Sequence, residues 1–192
     1  MSANPSQHRP TPPRPGRGAV KARLAEILRV DHAGELGAVH IYRGQQAVLG
    51  AARGHEATTA QLKEMEGHEA VHLARFDALL NEHKVRPTLM APLWRAAAFA
   101  IGAGTALIGD KAAHACTEAV ETVIEQHYAD QIAELKDRDP ELAAELTRFR
   151  DEELMHRDIA IEEGARQAPA YPLLNAVIQA GCRAAIRISE KI

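Results

Sequence analysis

Two Glu-x-x-His pairs, Glu69-Ala-Val-His72 and Glu153-Leu-Met-His156, are the residues of this chain whose types and spacing best fit chemistry. A helix turns by about 100° per residue, so a Glu and a His three apart share one face and can reach the same ion. Each pair follows a lone glutamate by a similar interval: Glu69 lies 34 residues after Glu35, and Glu153 lies 32 after Glu121. Together they supply four carboxylates and two imidazoles, the mixed oxygen and nitrogen set with which four helices hold two iron or manganese ions. A single such pair on an exposed helix is more often solvated decoration. Two pairs, each with its preceding glutamate, read as a duplicated half-site whose six groups meet at one level of a bundle.

The charges support this reading. Four carboxylates buried together without cations would repel one another and be poorly solvated. Two divalent cations neutralise them, and oxidation then leaves surplus positive charge that oxygen-derived ligands can balance. Redox-active iron is therefore favoured over zinc. A competing motif overlaps the first pair: His68-Glu-Ala-Val-His72 matches the His-Glu-x-x-His pattern of zinc hydrolases. That reading leaves Glu35, Glu121, Glu153 and His156 without a task, whereas the two-ion reading uses all six. His68 is then expected at the surface or behind a ligand. Tyr128 falls seven residues after Glu121, on nearly the same helical face, where it could hydrogen-bond a ligand, relay an electron or simply fill the core. Glu64, Glu66, Glu125, Glu152 and Glu162 are expected to be solvated helix decoration.

The elements that must position these groups are helical. The chain has 192 residues, enough for one domain with a sizeable core, and its aromatic content of 4% with abundant alanine suits close-packed helices better than a sheet. Glycines, prolines and capping residues predict six helices: Lys21–Arg53, Thr58–His83, Pro92–Gly109, Asp110–Leu135, one from the Asp137-Arg-Asp-Pro140 turn to Gly164, and one from Pro172 to the C-terminus. Gly34, Gly37 and Gly44 are read as weak points within the first. The first, second, fourth and fifth helices carry the ligands, so the fold class is all-α: a four-helix bundle with two additional apolar helices. Residues 1–18 are rich in proline and basic side chains, lack an apolar run and read as a disordered arm; residues 19–192 form the domain. There is no signal-peptide apolar core. Cys116 and Cys182 form no metal or redox motif and are expected to be free buried thiols. A net charge of −3 without a long basic run excludes a general nucleic-acid role.

The motifs carry a family resemblance. The stretch Asp31-His-Ala-Gly-Glu35-Leu-Gly-Ala38, then Glu69-x-x-His72, Arg86-Pro-Thr, Pro92-Leu-Trp94 and Gly102-Ala-Gly-Thr-Ala-Leu107 resembles the demethoxyubiquinone hydroxylases of ubiquinone biosynthesis. Ala115-Cys-Thr117, Ala119-Val-Glu121, His127-Tyr128, Phe149-Arg-Asp-Glu-Glu-Leu154 with His156, Ala170-Tyr171 and Gln179-Ala-Gly-Cys-Arg183 continue it in order, so that it covers roughly residues 24–190. The resemblance implies a ferritin-like di-iron monooxygenase with two iron ions per chain on Glu35, Glu69, His72, Glu121, Glu153 and His156. It implies dioxygen as co-substrate, NADH as electron source and the ring of a polyprenylated demethoxyubiquinol as the group hydroxylated. No Gly-x-Gly-x-x-Gly fingerprint marks a nucleotide site. A ferritin-like iron oxidase or storage protein would share the ligands and is the alternative; it would not need two apolar additions.

A polyprenyl substrate implies peripheral membrane contact, here on the cytoplasmic face of a bacterial cell membrane. Ala96–Gly109 is uncharged but shorter than the ~20 residues of a spanning helix, so it is expected to lie in the interface or pack on the bundle. A second apolar stretch, Ala168–Cys182, precedes Arg183, Arg187 and Lys191, a basic stripe suited to anionic headgroups. The sequence leaves room for a homodimer, or for assembly with other proteins of ubiquinone biosynthesis.

Overall fold

The computed structural model describes residues 17–192, and among them there are helices and turns but no strand. Six α-helices follow one another: α1 (Arg17–Leu49), α2 (Glu56–His83), α3 (Ala91–Ile108), α4 (Asp110–Leu135), α5 (Pro140–Glu162) and α6 (Tyr171–Ser189), with one 3-10 turn at Ala165–Gln167 before the last. The all-α bundle expected from the sequence is the fold observed. The arm expected over residues 1–18 lies outside the described residues, except that α1 already begins at Arg17.

Local chemistry sets the helix ends. Asp139 caps α5, its side chain accepting from the Leu142 backbone N–H at 3.1 Å, with Pro140 in the first turn where its missing N–H costs nothing. Lys84 ends α2 in the left-handed conformation, so that the Val85 N–H returns to the Leu80 carbonyl at 2.8 Å. Gly109 alone joins α3 to α4, at φ 131° and ψ 174°, a conformation that a side chain would oppose. The first helix ends four residues before the expected Arg53. Beyond Gly50, the Ala51 and Ala52 N–H groups bond three residues back, to Val48 and Leu49, and the chain turns there to start α2.

The helix pair α1/α2 faces the pair α4/α5, while α3 packs across α1 and α6 across α4. The α1/α3 crossing is close because it is built on glycines. A Cβ on Gly44 would stand 2.3 Å from the Phe99 carbonyl oxygen, and one on Gly102 would stand 2.1 Å from that of Ile41. Gly44, expected as a weak point of the helix, is therefore where α3 docks: the backbone freedom that glycine costs a helix is offset by close packing. Ile27, Leu28, Phe76 and Leu146 fill the core at one end of the ligand level, and Leu49, Leu62 and Met65 lie towards the other.

Candidate metal centre

Helical phase turns Glu35 of α1, Glu69 and His72 of α2, Glu121 of α4, and Glu153 and His156 of α5 into the middle of the bundle, where each is no more than 2% exposed. The six groups form two overlapping clusters, Glu35, Glu69, His72 and Glu153 in one and Glu69, Glu121, Glu153 and His156 in the other, with all chosen ligand atoms of a cluster within 4.8 Å of one another. Glu69 and Glu153 belong to both, as bridging carboxylates would. His72 Nδ1 lies 3.4 Å from Glu35 Oε2 and 3.2 Å from Glu153 Oε1, and His156 Nδ1 lies 3.1 Å from Glu69 Oε1 and 3.4 Å from Glu153 Oε2.

The donor set fits a pair of cations. Glu35 Oε2, Glu69 Oε1, both oxygens of Glu153 and the Nδ1 atoms of His72 and His156 are buried, face one another and make no hydrogen bond. Buried polar atoms are rarely left in that condition without a partner. Burial, reinforced by the charges of Glu153, Glu35 and Glu121, holds the Glu69 carboxyl well above its usual range, and burial with Glu153 does the same to Glu121. Burial would raise Glu153 too, but the imidazoles of His156 and His72 draw it down to about 2. Burial opposes the His72 imidazolium, yet the facing carboxylates of Glu153 and Glu35 raise it to about 11. Protons thus stabilise the cluster where metal charge would otherwise do so.

Hydrogen bonds hold the outer sides of these groups in a twofold pattern. Tyr128 lies seven residues after Glu121 and donates across the bundle to Glu35 Oε1; Tyr42 lies seven residues after Glu35 and donates to Glu121 Oε1 at 3.0 Å. Both phenols are held well above their usual range, by burial first and then by the nearby carboxylates. The residue preceding each Glu-x-x-His glutamate reaches the opposite histidine. Glu152 Oε2 meets His72 Nε2 at 2.9 Å, and His68 Nδ1 meets His156 Nε2 at 3.0 Å.

Residues 22–189 match the family model described as ubiquinone biosynthesis protein COQ7. The chain belongs to this family. It is 51% identical over 178 residues to the 3-demethoxyubiquinol 3-hydroxylase of Rhodospirillum rubrum, a match covering 93% of this chain and 82% of that one. It is 48% identical over 176 residues to the human mitochondrial NADPH-dependent 3-demethoxyubiquinone 3-hydroxylase, covering 90% and 79%. Against the Saccharomyces cerevisiae mitochondrial 5-demethoxyubiquinone hydroxylase the identity is 41% over 189 residues, covering 91% and 80%.

In this member of the COQ7 family, the zinc-hydrolase alternative loses its geometry. Neither cluster includes His68, which stacks on His156 with ring centroids 5.3 Å apart instead of joining His72. The expectation that Glu152 is mere decoration is corrected: its side chain is 43% exposed, yet its carboxylate is bonded to His72. Glu66 is likewise engaged, accepting from Arg43 at 2.7 Å and Gln46 at 2.8 Å. Sequence reasoning missed Tyr42, although its interval from Glu35 repeats that of Tyr128 from Glu121. A further cross-link joins α1 to α4 beside the site, where buried Asp31 accepts from Gln131 at 2.7 Å and faces His127 at 3.3 Å. Cys116 and Cys182 are free thiols, but only Cys116 is fully buried as expected, Cys182 being partly exposed at the groove; burial pushes Cys116 up to about 12.

An apolar groove of about 370 Å³ runs between α1, α3, α4 and α6. Gly34 and Val120, both in its lining, are the chain neighbours of Glu35 and Glu121, while Trp94, Ile101, Val177 and Ser189 come from its outer helices. A Cβ on Gly37 would meet nothing within 4 Å, so glycine there leaves the groove open. Trp94 Nε1 donates to Ser189 Oγ at 2.9 Å and ties α3 to α6 across it. Nothing in the spacing of the six groups announces this groove, because apolar residues of four separate helices make it.

Proposed function

We propose that this chain hydroxylates the ring of a demethoxyubiquinol precursor, using two iron ions on Glu35, Glu69, His72, Glu121, Glu153 and His156 and dioxygen as co-substrate. The observation that carries the reading is the groove: an apolar cavity of about 370 Å³, lined in part by Gly34 and Val120, the chain neighbours of Glu35 and Glu121, suits a prenylated aromatic ring. The hydroxylase names of the relatives support it.

The bound iron pair would supply the activation of dioxygen, and the chain supplies the rest. Tyr128 and Tyr42 hold the terminal carboxylates Glu35 and Glu121, and Glu152 and His68 fix the rings of His72 and His156. The groove orients the ring towards the carboxylates and keeps water from it. Tyr128 serves as a positioning residue for Glu35 and is the candidate for an electron relay from α4. Electrons come from a reduced nicotinamide; NADH was expected, and the human relative is named for NADPH.

The substrate arrives from a membrane with which the protein makes peripheral contact. Helix α3 is long and apolar enough by length and composition to cross one, and most of it is not buried in the bundle. Its backbone contact with α1 ties it to the bundle, and this favours an interfacial position. Leu107, Ile108, Leu173 and Val177, all more than half exposed, present apolar surface on α3 and α6, the helices that flank the groove. Of the basic stripe, Lys191 pairs with Glu26 at 3.4 Å, whereas Arg183 meets only the neutral amide of Gln179 and keeps its charge, so Arg183 and Arg187 are the stronger headgroup contacts. Expression of this chain in a bacterium lacking its demethoxyubiquinone hydroxylase tests the function: ubiquinone should return with the native chain and not with Glu153→Ala. Accumulation of precursor with both would refute it.

A further inference from the structure

The hydrogen bonds made directly to the six groups are close to twofold symmetric, with one exception. Glu35 and Glu121 occupy equivalent places, as do Glu69 and Glu153, His72 and His156, and the crossed tyrosines Tyr128 and Tyr42. The exception is the residue before each Glu-x-x-His glutamate, a carboxylate on α5 (Glu152) and an imidazole on α2 (His68). Resting on the metal-centre reading above, we propose that this difference makes the two metal positions unequal, the position of Glu35 and His72 holding its ion more tightly than that of Glu121 and His156.

The reasoning is local. In both histidines Nδ1 faces the carboxylates and makes no hydrogen bond, so for that atom to ligate an ion the ring proton must sit on Nε2. The His72 Nε2–H then donates to Glu152 Oε2 at 2.9 Å, and the His156 Nε2–H donates to His68 Nδ1 at 3.0 Å. A carboxylate acceptor pulls harder on that proton than a neutral imidazole does, gives the ring more negative character and makes its other nitrogen the stronger ligand. Removal of such a partner commonly lowers metal affinity by about 10- to 100-fold. The other bonds to each position are matched: each has one glutamate bonded by one tyrosine, and both share Glu69 and Glu153, while buried Asp31, one turn before Glu35, accepts from Gln131 and bonds none of the six groups. The packing neighbour differs too, since Phe149 lies 4.1 Å from the His72 ring by centroids, but it offers no hydrogen bond.

The test uses the full chain, stripped by chelator and titrated with cobalt(II) without oxygen, its visible absorption reporting occupancy. Mutual repulsion of two ions would split even a symmetric site into two steps, so each position is measured alone: Glu121→Ala leaves that of Glu35 and His72, and Glu35→Ala leaves that of Glu121 and His156. Glu121→Ala should bind one cobalt at least about tenfold more tightly than Glu35→Ala. Adding His68→Glu to Glu35→Ala should tighten its site about tenfold, since Glu152 demonstrates that a glutamate at the equivalent place reaches the opposite imidazole. Adding Glu152→Gln to Glu121→Ala should weaken that site by a similar factor. Both second substitutions are at partly exposed helical positions that tolerate them, and unchanged helix content by circular dichroism accompanies the expected result. Equal affinities in the two single-position variants, or no response to either second substitution, overturn the inequivalence while leaving the metal centre standing. No cobalt bound by any form overturns both.

Discussion

Replacing Gly102 and Gly104 by alanine, one at a time, should move the stability of this protein in opposite directions although the two lie two residues apart on α3. A Cβ on Gly102 would meet three backbone atoms of Ile41, the carbonyl oxygen at 2.1 Å, the carbonyl carbon at 2.8 Å and Cα at 2.9 Å. None of these can rotate away, so α1 and α3 must part by about 1 Å to reach ordinary contact. Overpacking of this kind costs up to about 3 kcal/mol, and the helix propensity of alanine returns about 1 kcal/mol, for a net loss of ~2 kcal/mol. A Cβ on Gly104 meets nothing within 4 Å, so that substitution keeps only the gain of about 1 kcal/mol. For a chain of this size each kcal/mol shifts Tm by roughly 2–4 °C, giving a fall of about 4–8 °C for Gly102→Ala and a rise of about 2–4 °C for Gly104→Ala. Thermal unfolding followed by circular dichroism, in one detergent and at fixed metal content, reads both. Because Ile41, Ala98 and Ile101 line the groove, Gly102→Ala should also raise the KM for a prenylated substrate more than it lowers kcat. Equal shifts in the two variants, or a stabilised Gly102→Ala, would refute the close crossing of α1 and α3.

Purified native protein should hold two iron ions per chain by elemental analysis, and Glu153→Ala or His156→Ala should lower that number and abolish activity; one zinc dependent on His68 and independent of Glu121 would point back to the hydrolase motif. In the metal-free protein, Glu69 and Glu121 are raised above the unfolded carboxylate value of 4.5 and His72 is raised from 6.5 to about 11, so the native state binds more protons than the unfolded one over that range and stability falls as pH rises from about 5 to 8. Denaturant titrations at several pH values should show this slope, and saturating iron(II) should flatten it. Liposome flotation should show binding that weakens when Leu107, Ile108, Leu173 and Val177 are replaced by serine, and weakens further with Arg187→Gln on anionic vesicles; unchanged flotation would assign those faces to packing.

The parts of this protein that repeat at a helical period were legible in its sequence. Glu69 with His72 and Glu153 with His156 each mark one helical face, and four such faces can be satisfied together only in a bundle, so six candidate ligands implied four helices and their common level. Tyr42 was equally legible, since its interval from Glu35 repeats that of Tyr128 from Glu121, but a tyrosine on a helix is common enough that only the crossed bonds distinguish it. Glu152 was misjudged because exposure and function are separate matters at a helix edge: its stem stands in solvent and its carboxylate reaches inward. The groove and the α1/α3 crossing were out of reach for a deeper reason. Both consist of atoms that are missing, at Gly34, Gly37, Gly44 and Gly102, and the sequence does not record which backbone will fill or leave the space beside a glycine.

We propose that this chain hydroxylates a quinol ring held in the adjoining groove, with iron on its six buried groups supplying the activation of dioxygen. Incubating the iron-loaded chain with a demethoxyubiquinol, a reductant and isotopically labelled dioxygen, followed by mass spectrometry of the extracted quinones, tests it most directly. The expected product is heavier by one labelled oxygen atom in its ring hydroxyl, with labelled water contributing none beyond background exchange. Iron bound and dioxygen consumed with no hydroxylated ring would contradict the account and make the protein an iron oxidase.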